Sequence, residues 1–488
     1  MLPGKLEKGL FAASAVIFLV LAFTIYTSYN QRCVGACDWY GYYQEAQLFK
    51  HGQISMPTQL PASRYPSLAP LSYFEKDGKV LPQYPPGFPL LMAAAGFLNL
   101  EYAVNPLLGL LSIVLMFLII RTMTDRWTAA LFASLWGLFP IVVYGSTYVM
   151  SDMAAAFFII LAFYLFKKNK CLLSGISLVY AIAVRPTNAL ICLVFIPFIL
   201  KELKENSDRL KFGLGFAGSS LIYGTYNWLV YGAPWKTGYA NLGFDLTTKV
   251  FFSHLAFYLH ETAIQFSLIL LLLVLIGLWK EKHAIFYGSW FAVFLIFYCF
   301  WFPGGDLWWW TRFLLPGYPA LFILAALGFK RVIALNQRIS SKPLKYTAIA
   351  LMTGIVFLVN GYFVYRGTHY SELWATGKAK LYYDISKKIS RKVEPHSLVG
   401  GLDFSGPLRL YAGVESFNTL HMNSLILISD MLKQGRPIYI AVEPWNKDTI
   451  VIKRIFENFT CEKVTDLGGW ADFFLYQLIA QKDKELHF

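Results

Sequence analysis

The chain has 488 residues, of which 56% are hydrophobic, 17% aromatic and only 15% charged. Soluble domains carry about 25% charged residues, so this composition argues against a soluble enzyme, and its aromatic content excludes a disordered or fibrous chain. Lys and Arg number 43 against 29 Asp and Glu, which gives a net charge of +14. In a membrane protein such an excess is typical of basic cytoplasmic loops and contact with anionic lipid, so no nucleic-acid partner is predicted.

Apolar runs predict an α-helical polytopic membrane protein with about 11 transmembrane helices. The runs cover residues 9–29, 105–120, 127–144, 153–166, 172–184, 187–200, 212–230, 262–279, 284–302, 313–329 and 346–365. Several are shorter than the ~20 residues that a full span needs. The first run follows Lys5 and Lys8 and lacks a small-residue cleavage site after it, so we interpret it as a retained anchor whose N-terminus is cytoplasmic.

The distribution of positive charge supports this count. Segments assigned to the cytoplasm carry 18 Lys and Arg residues, whereas the outer segments before residue 366 carry nine spread over longer loops. The apolar run 85–100 would make a twelfth span, but counting it would place the basic loops at Arg121 and Lys167 outside. We therefore predict that this run is a helix lying on the outer membrane interface, within a first outer loop of residues 30–104.

The tail, residues 366–488, is predicted to be a soluble α/β domain on the outer side, separate from a membrane domain of residues 1–365. Helical spacing alternates there with buried-strand patterns. Helices are predicted at 371–393 and 449–459, and strands at 397–401, 438–442 and 473–479. The chain contains no evident internal repeat and no low-complexity tract.

The first outer loop carries a carboxylate before a predicted amphipathic helix of residues 39–49. Asp38 stands where a helix N-cap would stand, so one interpretation is a cap and the other is a general base under aromatic cover at the membrane surface. Cys33 and Cys37 flank the same turn, and the sequence leaves open whether they form a disulfide.

Three further features lie on the predicted outer side. Asp152 begins an apolar helix, where either it or Ser151 could be the cap, or its carboxylate could face a cavity. Arg185 interrupts an apolar hairpin, and a cation at membrane depth is costly without a partner or a role. Arg312 follows a tryptophan cluster that is typical of the membrane interface. The two arginines suit a phosphate or diphosphate headgroup, although Arg185 could instead extend to lipid headgroups.

Together these motifs resemble the GT-C glycosyltransferases, most closely the family 39-like branch of protein O-mannosyltransferases and aminoarabinose–lipid A transferases. The motifs, in chain order, are Asp38 with the tyrosines after it and Ala46-x-x-Phe49-x-x-Gly52, Tyr84-Pro-Pro-Gly-Phe-Pro-Leu-Leu, Ser151-Asp152, Arg185-Pro-Thr-Asn, Tyr226-Asn-Trp-Leu-Val-Tyr-Gly-Ala-Pro, and Gly304-Gly with Arg312-Phe-Leu-Leu-Pro. The resemblance covers nearly the whole membrane part.

The resemblance implies a GT-C fold and an inverting enzyme of the inner (cytoplasmic) membrane, with its active site and tail on the periplasmic or extracellular side. The donor would be a polyprenyl- or dolichyl-phosphate-linked sugar, and the acceptor a lipid, glycan or protein. Asp38 would be the catalytic base, and Arg185 and Arg312 would bind the donor phosphate. The substrate-cavity candidates are Tyr42, Tyr84, Asp152 and Asp306. No cofactor is required and no metal ligands are predicted.

Two departures from the family pattern leave the acceptor and the phosphate site open. Gln83 and Tyr84 precede the Pro-Pro pair, where the aminoarabinose transferases have a basic residue, and Trp39 follows Asp38, where the O-mannosyltransferases have a second acid. The alternative function is a transporter or flippase of lipid-linked sugars, for which repeats and midplane ionisable residues would be expected. A third is a receptor or assembly protein that acts through its tail.

Overall fold

The computed structural model of the protein describes residues 4–30, 32–241, 246–301, 307–336, 378–468 and 472–482, together with 350, 354, 358, 361 and 362. The described residues fall into two compact units that interleave along the chain. The helical unit is drawn from Met1–Asn30, Tyr102–Tyr226 and Gly243–Trp374, and the mixed unit from Gln31–Glu101, Asn227–Leu242 and Ala375–Phe488.

Helices make up most of the described chain, as the apolar runs predicted. In chain order the longer ones are α1 (Gly4–Ser28), α2 (Cys37–Lys50), α3 (Gly87–Gly96), α4 (Val104–Arg121), α5 (Arg126–Leu138), α6 (Pro140–Thr147), α7 (Ser151–Lys167), α8 (Cys171–Val184), α9 (Cys192–Glu202), α10 (Asn206–Tyr231), α11 (Phe251–Leu278), α12 (Ala284–Cys299), α13 (Tyr318–Asn336), α14 (Lys378–Ser390), α15 (Ser424–Lys433) and α16 (Ile450–Asn458).

Some predicted runs are broken rather than straight. The run 127–144 divides into α5 and α6, bent by 58°, because Phe139 is extended before Pro140 and proline disfavours helical backbone at the residue before it. The 3₁₀ helix Trp308–Leu314 meets α13 at 87°. A second 3₁₀ helix, Pro186–Ile191, precedes α9.

Within the described residues, three helices are long and apolar enough to cross a membrane. They are Glu7–Ser28, Glu101–Arg121 and Phe251–Leu278, and the number rises to five if each bent pair is one span. The predicted run 346–365 lies almost wholly outside the described residues. The count of about 11 spans therefore stays a prediction. The predicted interfacial helix at 85–100 is α3, whose ten residues rise only ~15 Å.

Close backbone approaches hold parts of the helical unit together. A side chain on Gly277 of α11 would collide with the Leu324 carbonyl of α13, and one on Gly328 would collide with the Leu273 carbonyl. Small residues at such crossings let helix backbones meet, which is how membrane helices gain packing without a hydrophobic driving force. On another face, the buried Tyr26 hydroxyl of α1 donates to the Gly137 carbonyl at 2.6 Å.

The mixed unit contains two sheets. The strands are β1 (Tyr73–Lys76), β2 (Lys79–Pro82), β3 (Leu398–Gly401), β4 (Glu415–Asn418), β5 (Ile438–Val442), β6 (Phe459–Asp466) and β7 (Phe474–Gln481). Strands β1 and β2 form an antiparallel hairpin. The larger sheet has the order β4-β3-β5-β7-β6, with β3 parallel to both β4 and β5 and with β7 antiparallel to both β5 and β6.

The predicted elements of the tail are present, with two additions. Strands predicted at 397–401, 438–442 and 473–479 correspond to β3, β5 and β7, and the helix predicted at 449–459 corresponds to α16. The helix predicted at 371–393 is described from Lys378 onward as α14. Strand β4 was not predicted because it is short and mostly polar in sequence although it is buried, and β6 was not predicted because most of its residues are polar and exposed.

The outer-loop segment 56–68 packs into the core of the larger sheet. Tyr65 and Leu68 belong to the same buried cluster as Leu398, Phe417 and Ile440. Each is at most 3% exposed, so the loop supplies core residues to the sheet. The first outer loop and the described tail therefore share one hydrophobic core within the mixed unit.

Candidate functional site

Asp38 lies in the first turn of α2 and is partly buried. Its Oδ1 accepts a hydrogen bond of 2.5 Å from the Tyr84 hydroxyl, which comes from the segment after β2. The Cys37 thiol contacts the same oxygen at 3.5 Å. A carboxylate in the first turn also interacts favourably with the positive end of the helix dipole. The side chain is thus held in a defined orientation at the N-terminal end of α2.

An aromatic wall surrounds this carboxylate. The Tyr84 ring packs on Tyr42, with centroids 4.4 Å apart, and meets Tyr239 edge-on at 5.8 Å. The Tyr231 hydroxyl donates to the Tyr84 carbonyl at 3.3 Å, which fixes the backbone below the ring. Burial, followed by the charge of Asp38, raises the pKa of the Tyr84 phenol well above its usual value. Tyr84 therefore stays protonated and donates to the carboxylate.

A glycine at position 41 allows α2 to pack closely against Tyr84. A side chain at position 41 would collide with the Tyr84 ring and with Ser72, so α2 can approach Tyr84 only because Gly41 is there. The Ser72 hydroxyl in turn donates to the Cys37 carbonyl. The start of α2 is therefore tied to the segment that carries Tyr84, and this brings Asp38, Tyr42 and Tyr84 together.

Two interpretations that the sequence allowed for this loop, a capping role for Asp38 and a Cys33–Cys37 disulfide, are wrong. The N-cap residue of α2 is Ala36, and no side chain caps the helix, so Asp38 is not the cap that its position suggested. The reason is that α2 begins two residues earlier than predicted. Cys33 and Cys37 are both free thiols, so the disulfide that the sequence left open is not formed.

Asp152 and Arg185 form a buried ion pair in the helical unit. The guanidinium Nη1 of Arg185 donates to Asp152 Oδ1, with side chains that are 13% and 2% exposed respectively. Asp152 lies in the first turn of α7, whose N-cap is Met150 with no side-chain cap, so the capping alternative is wrong here too. Arg185 does not simply extend to headgroups, because its guanidinium is paired inside the protein.

Neighbouring polar contacts explain the Arg-Pro-Thr-Asn motif. Arg185 ends α8 in an extended conformation, as expected before proline. Asn188 is fully buried, and its side-chain amide donates to the Ala181 carbonyl at 2.8 Å, which satisfies a carbonyl near the end of α8. The Tyr298 hydroxyl contacts Thr187 Oγ1 at 2.9 Å. The whole turn is therefore fixed, and Arg185 with it.

Arg312 lies beside this pair and is 6% exposed. Its guanidinium carbon lies 5.0 Å from the centre of the Phe313 ring, and that of Arg185 lies 4.9 Å from the same ring. The Arg312 guanidinium also stacks on Trp309 at 4.8 Å and contacts Met150 Sδ at 2.9 Å. Two cations are thus held on one aromatic ring, next to the Asp152 carboxylate.

The predicted site residues therefore form two groups. Asp38, Tyr42 and Tyr84 lie together in the mixed unit, and Asp152, Arg185 and Arg312 lie together in the helical unit. Asp306 lies outside the described residues. Among the residues that the structure describes, no three His, Cys, Asp or Glu side chains are arranged to hold a metal ion.

Two acidic residues of the tail were missed by the sequence analysis. Asp403 follows β3 and Glu443 follows β5, so both lie just beyond the carboxyl ends of neighbouring parallel strands. Glu443 is fully buried, and its Oε1 accepts the backbone amides of Leu402 at 2.9 Å and Phe404 at 3.3 Å. The signal in the sequence was an acidic residue within two positions of the end of each buried strand. Ligand sites of open α/β sheets gather at that edge.

The charge of Asp403 changes the pKa values of nearby groups, including the thiol next to Asp38. Burial, followed by the charges of Asp38 and Asp403, raises the pKa of the Cys37 thiol well above its usual value. Burial and then the charge of Asp403 likewise raise the pKa of Glu443. The Tyr382 hydroxyl donates to Asp403 Oδ2 at 3.2 Å. Negative charge is therefore concentrated around the start of α2, and the protonated form of Glu443 is favoured.

Comparison with known proteins gives a family match for part of the chain. Residues 102–200 match the model of the dolichyl-phosphate-mannose-protein mannosyltransferase family. This segment contains α4 to α8 and therefore both Asp152 and Arg185. No curated protein sequence matches the chain.

Solved structures match almost the whole chain at low identity. ArnT from Cupriavidus metallidurans in the apo state is 14% identical, with a TM-score of 0.63, over 96% of this chain and 97% of that one. The oligosaccharyltransferase AglB from Archaeoglobus fulgidus, in complex with an inhibitory peptide and a dolichol-phosphate, is 11% identical, with a TM-score of 0.58, over 98% and 75%. ArnT is also known bound to undecaprenyl phosphate.

A third neighbour is the arabinofuranosyltransferase AftD from Mycobacteria. It is 12% identical, with a TM-score of 0.57, over 98% of this chain and 40% of the larger relative. At these identities the likeness shows a common fold. With the family match, it confirms the resemblance that the order of the motifs indicated. Over residues 102–200 the chain is thus similar to the mannosyltransferase family, and over almost its whole length it shares the fold of ArnT, AglB and AftD.

Proposed function

We propose that this protein is an inverting glycosyltransferase of the cytoplasmic membrane. It transfers a sugar from a polyprenyl- or dolichyl-phosphate donor to a lipid, glycan or protein acceptor at the outer face. The observation that carries the proposal is the Asp38 carboxylate at the start of α2, oriented by the Tyr84 hydroxyl and enclosed by aromatic rings. The match of residues 102–200 to the dolichyl-phosphate-mannose-protein mannosyltransferase family and the fold shared with ArnT support it.

The catalytic step requires a base near the acceptor. Asp38 removes the proton from an acceptor hydroxyl as the oxygen attacks the anomeric carbon of the donor sugar. The new glycosidic bond forms as the bond between that carbon and the phosphate oxygen breaks, so the configuration inverts in one displacement. The proton stays on Asp38, and the lipid phosphate leaves. Tyr84 keeps the carboxylate in its reactive orientation but transfers no proton itself.

The leaving phosphate requires positive charge. The guanidinium groups of Arg185 and Arg312 both lie over the ring of Phe313, and Arg185 is also paired with Asp152. Charge-assisted bonds from guanidinium to phosphate are strong and directional, and they strengthen as the leaving oxygen gains charge. The undecaprenyl phosphate of ArnT and the dolichol-phosphate of AglB support a lipid phosphate as the ligand.

The tail is assigned to the acceptor side. We propose that residues 366–488 lie outside the cytoplasm and support the loop that carries Asp38. The shared core of loop and sheet in the mixed unit is consistent with this role. A reporter fused after Phe488 is expected to be active only outside the cytoplasm, and activity on the cytoplasmic side would contradict the proposed topology.

The base assignment is tested with Asp38→Asn in the purified protein. Polyprenyl-phosphate-linked sugars are supplied with glycolipid, glycan or peptide acceptors, and product is measured by mass spectrometry. General-base removal is expected to lower the rate about 10²- to 10⁴-fold without changing thermal unfolding. The matched control is Asp77→Asn, an exposed carboxylate in the β1–β2 turn of the same unit, which should keep full activity. Full activity in Asp38→Asn would contradict the assignment.

The phosphate assignment is tested with Arg312→Gln. Arg185→Ala is a poor probe, because it leaves Asp152 buried without its ion-pair partner and is expected to destabilise the protein. Loss of a charge-assisted bond of about 1.5–3 kcal/mol predicts that Arg312→Gln weakens undecaprenyl phosphate binding about 10- to 100-fold. The control is Arg209→Gln on exposed α10. Unchanged affinity in Arg312→Gln would refute the phosphate site.

A further inference from the structure

A cavity in the helical unit has no part in the proposed transfer. It measures about 270 Å³ and lies between α1, α4 and α5. Small residues create the space: Ala130, Ala133 and Ser134 share one face of α5 at helical spacing, opposite Ser14 and Ala15 of α1. The remaining lining is almost entirely apolar, with aromatic rings at one end.

The cavity opens on the exposed side of its helices, away from the rest of the helical unit. The lining residues Trp127 and Val114 are 46% and 38% exposed, and Ser14 is also exposed. Helix α1 is among the helices long and apolar enough to span a membrane, and only 11% of its apolar window is buried within the protein. In a bilayer this opening faces hydrocarbon. An apolar cavity of this kind does not hold water, so a lipid chain is the natural occupant.

Charge is concentrated at one end of the cavity. The Arg126 guanidinium lies over the rings of Phe11 and Trp127, at 5.6 and 5.7 Å. It is paired with Glu7, which also accepts a hydrogen bond from the Trp127 indole at 3.3 Å. Lys8 is exposed beside this pair.

Arg121 is exposed at the end of α4, one short turn before α5 begins. This end of the helices therefore carries three cations, Lys8, Arg121 and Arg126, and two carboxylates, Glu7 and Asp125. The Asp125 carboxylate is engaged by the backbone amides of Trp127 and Thr128 at the start of α5, so the cations remain in excess. This is the end that the basic residues assign to the cytoplasm, and anionic lipids are enriched in that leaflet. Asp152 lies at the start of α7 and Arg185 at the end of α8. The predicted topology places these two helix ends on the opposite side of the membrane from the mouth of the cavity.

We propose that this cavity is a binding site for an anionic glycerophospholipid of the membrane. One acyl chain fills the space between α1, α4 and α5, and the headgroup phosphate is held by the basic side chains at the mouth. The site is separate from the proposed donor-phosphate site and does not depend on the transferase assignment. Its lipid fixes α1, which has little protein around it, against α4 and α5.

The site is tested by native mass spectrometry of the full-length protein in detergent. Dioleoyl phosphatidylglycerol and dioleoyl phosphatidylcholine are titrated separately, so that the chains match and only the headgroup charge differs. The protein is expected to bind phosphatidylglycerol at least tenfold more tightly. Arg126→Gln is expected to weaken phosphatidylglycerol binding much more than phosphatidylcholine binding, because only the former has a net negative headgroup, and so to remove most of that preference. Equal binding of the two lipids by the wild type would overturn the headgroup assignment.

Chain occupancy is tested by filling the cavity. Each methylene that loses its apolar site weakens binding about fourfold, so Ala133→Phe, which displaces at least two, is expected to weaken phosphatidylglycerol binding more than tenfold. Ser14→Leu fills the cavity from its exposed rim and keeps the test valid if Ala133→Phe fails to fold. Ile222→Phe, on the 74% exposed surface of α10, is the matched control and should bind as the wild type does. Wild-type affinity in both filled variants would refute the site.

Discussion

Arg409 is expected to be a principal link between the outer loop and the tail sheet. It lies in the helical turn before β4, and its side chain is 13% exposed against 4% for its partner Glu415. Its Nη2 contacts Glu415 Oε1 at 3.0 Å and donates to the carbonyls of Leu68 and Ser416, both at 2.9 Å. Glu415 also accepts the amide of Gln59 at 3.2 Å. One ion pair therefore joins segment 56–68 to β4.

Replacement of Arg409 by Ala removes the cation but leaves Glu415 buried. Breaking a buried pair from one side costs about 3–5 kcal/mol, because the remaining charge is desolvated without compensation. For a unit of about 200 residues, each kcal/mol lowers the melting temperature by about 2–4 °C. A cost of about 4 kcal/mol therefore predicts a fall of about 8–16 °C in the unfolding temperature of the mixed unit.

The assay is thermal unfolding of the detergent-purified protein, followed by circular dichroism and by proteolysis within residues 56–68. Arg409→Leu combined with Glu415→Leu is expected to lose less than the two single changes added together, because no buried charge remains. Arg454→Ala breaks an exposed pair with Glu457 and serves as the control, with a cost of at most about 1 kcal/mol. Equal unfolding temperatures for Arg409→Ala and Arg454→Ala would refute the reasoning.

Three further outcomes are expected. Tyr84→Phe loses the hydrogen bond to Asp38, so kcat should fall about 10- to 100-fold with little change in KM; an unchanged kcat would show that the hydroxyl does not orient the base. The folded-state pKa of Glu443 is raised, so its contribution to stability is full below the ordinary value near 4.5 and is lost as pH rises through the raised pKa. Glu443→Gln should therefore unfold at a higher temperature than the wild type at pH 8 and lose that advantage near pH 4, whereas parallel pH profiles would contradict the buried protonated carboxyl. Burial and then the charge of Asp384 raise the pKa of the Cys33 thiol to about 11. Cys33 should therefore be alkylated slowly at pH 7, with a rate that rises about tenfold per pH unit. Peptide mapping without reductant should find no disulfide between Cys33 and Cys37.

Local pattern predicted most elements of the fold. Apolar runs located the helices because a membrane-embedded segment must be apolar along its length, whatever its neighbours are. The buried strands β3, β5 and β7 were also readable, because a strand covered on both faces is a continuous apolar run. The bend between α5 and α6 was missed, although Pro140 stands at that point in the sequence. Strand β6 was missed because its residues are mostly polar and exposed.

Candidate residues could be named from the sequence but their partners could not. Asp38, Asp152, Arg185 and Arg312 stood out because charged side chains are rare in apolar surroundings. The sequence did not show that Asp152 pairs with Arg185, or that both arginines share the ring of Phe313. It also offered helix capping as an alternative explanation for both aspartates, which only the observed helix starts could exclude.

The sequence by itself indicated a membrane protein that resembles the GT-C glycosyltransferases, with a candidate carboxylate in its first long loop and an α/β pattern in its tail. Only the tertiary structure decided which distant residues meet: Tyr84 with Asp38, 46 positions apart, and segment 56–68 with β4, more than 340 apart. The physical reason is that helix and strand signals come from local spacing, whereas such contacts depend on how whole elements pack. A hydrogen bond or a buried ion pair leaves no periodic trace along the chain.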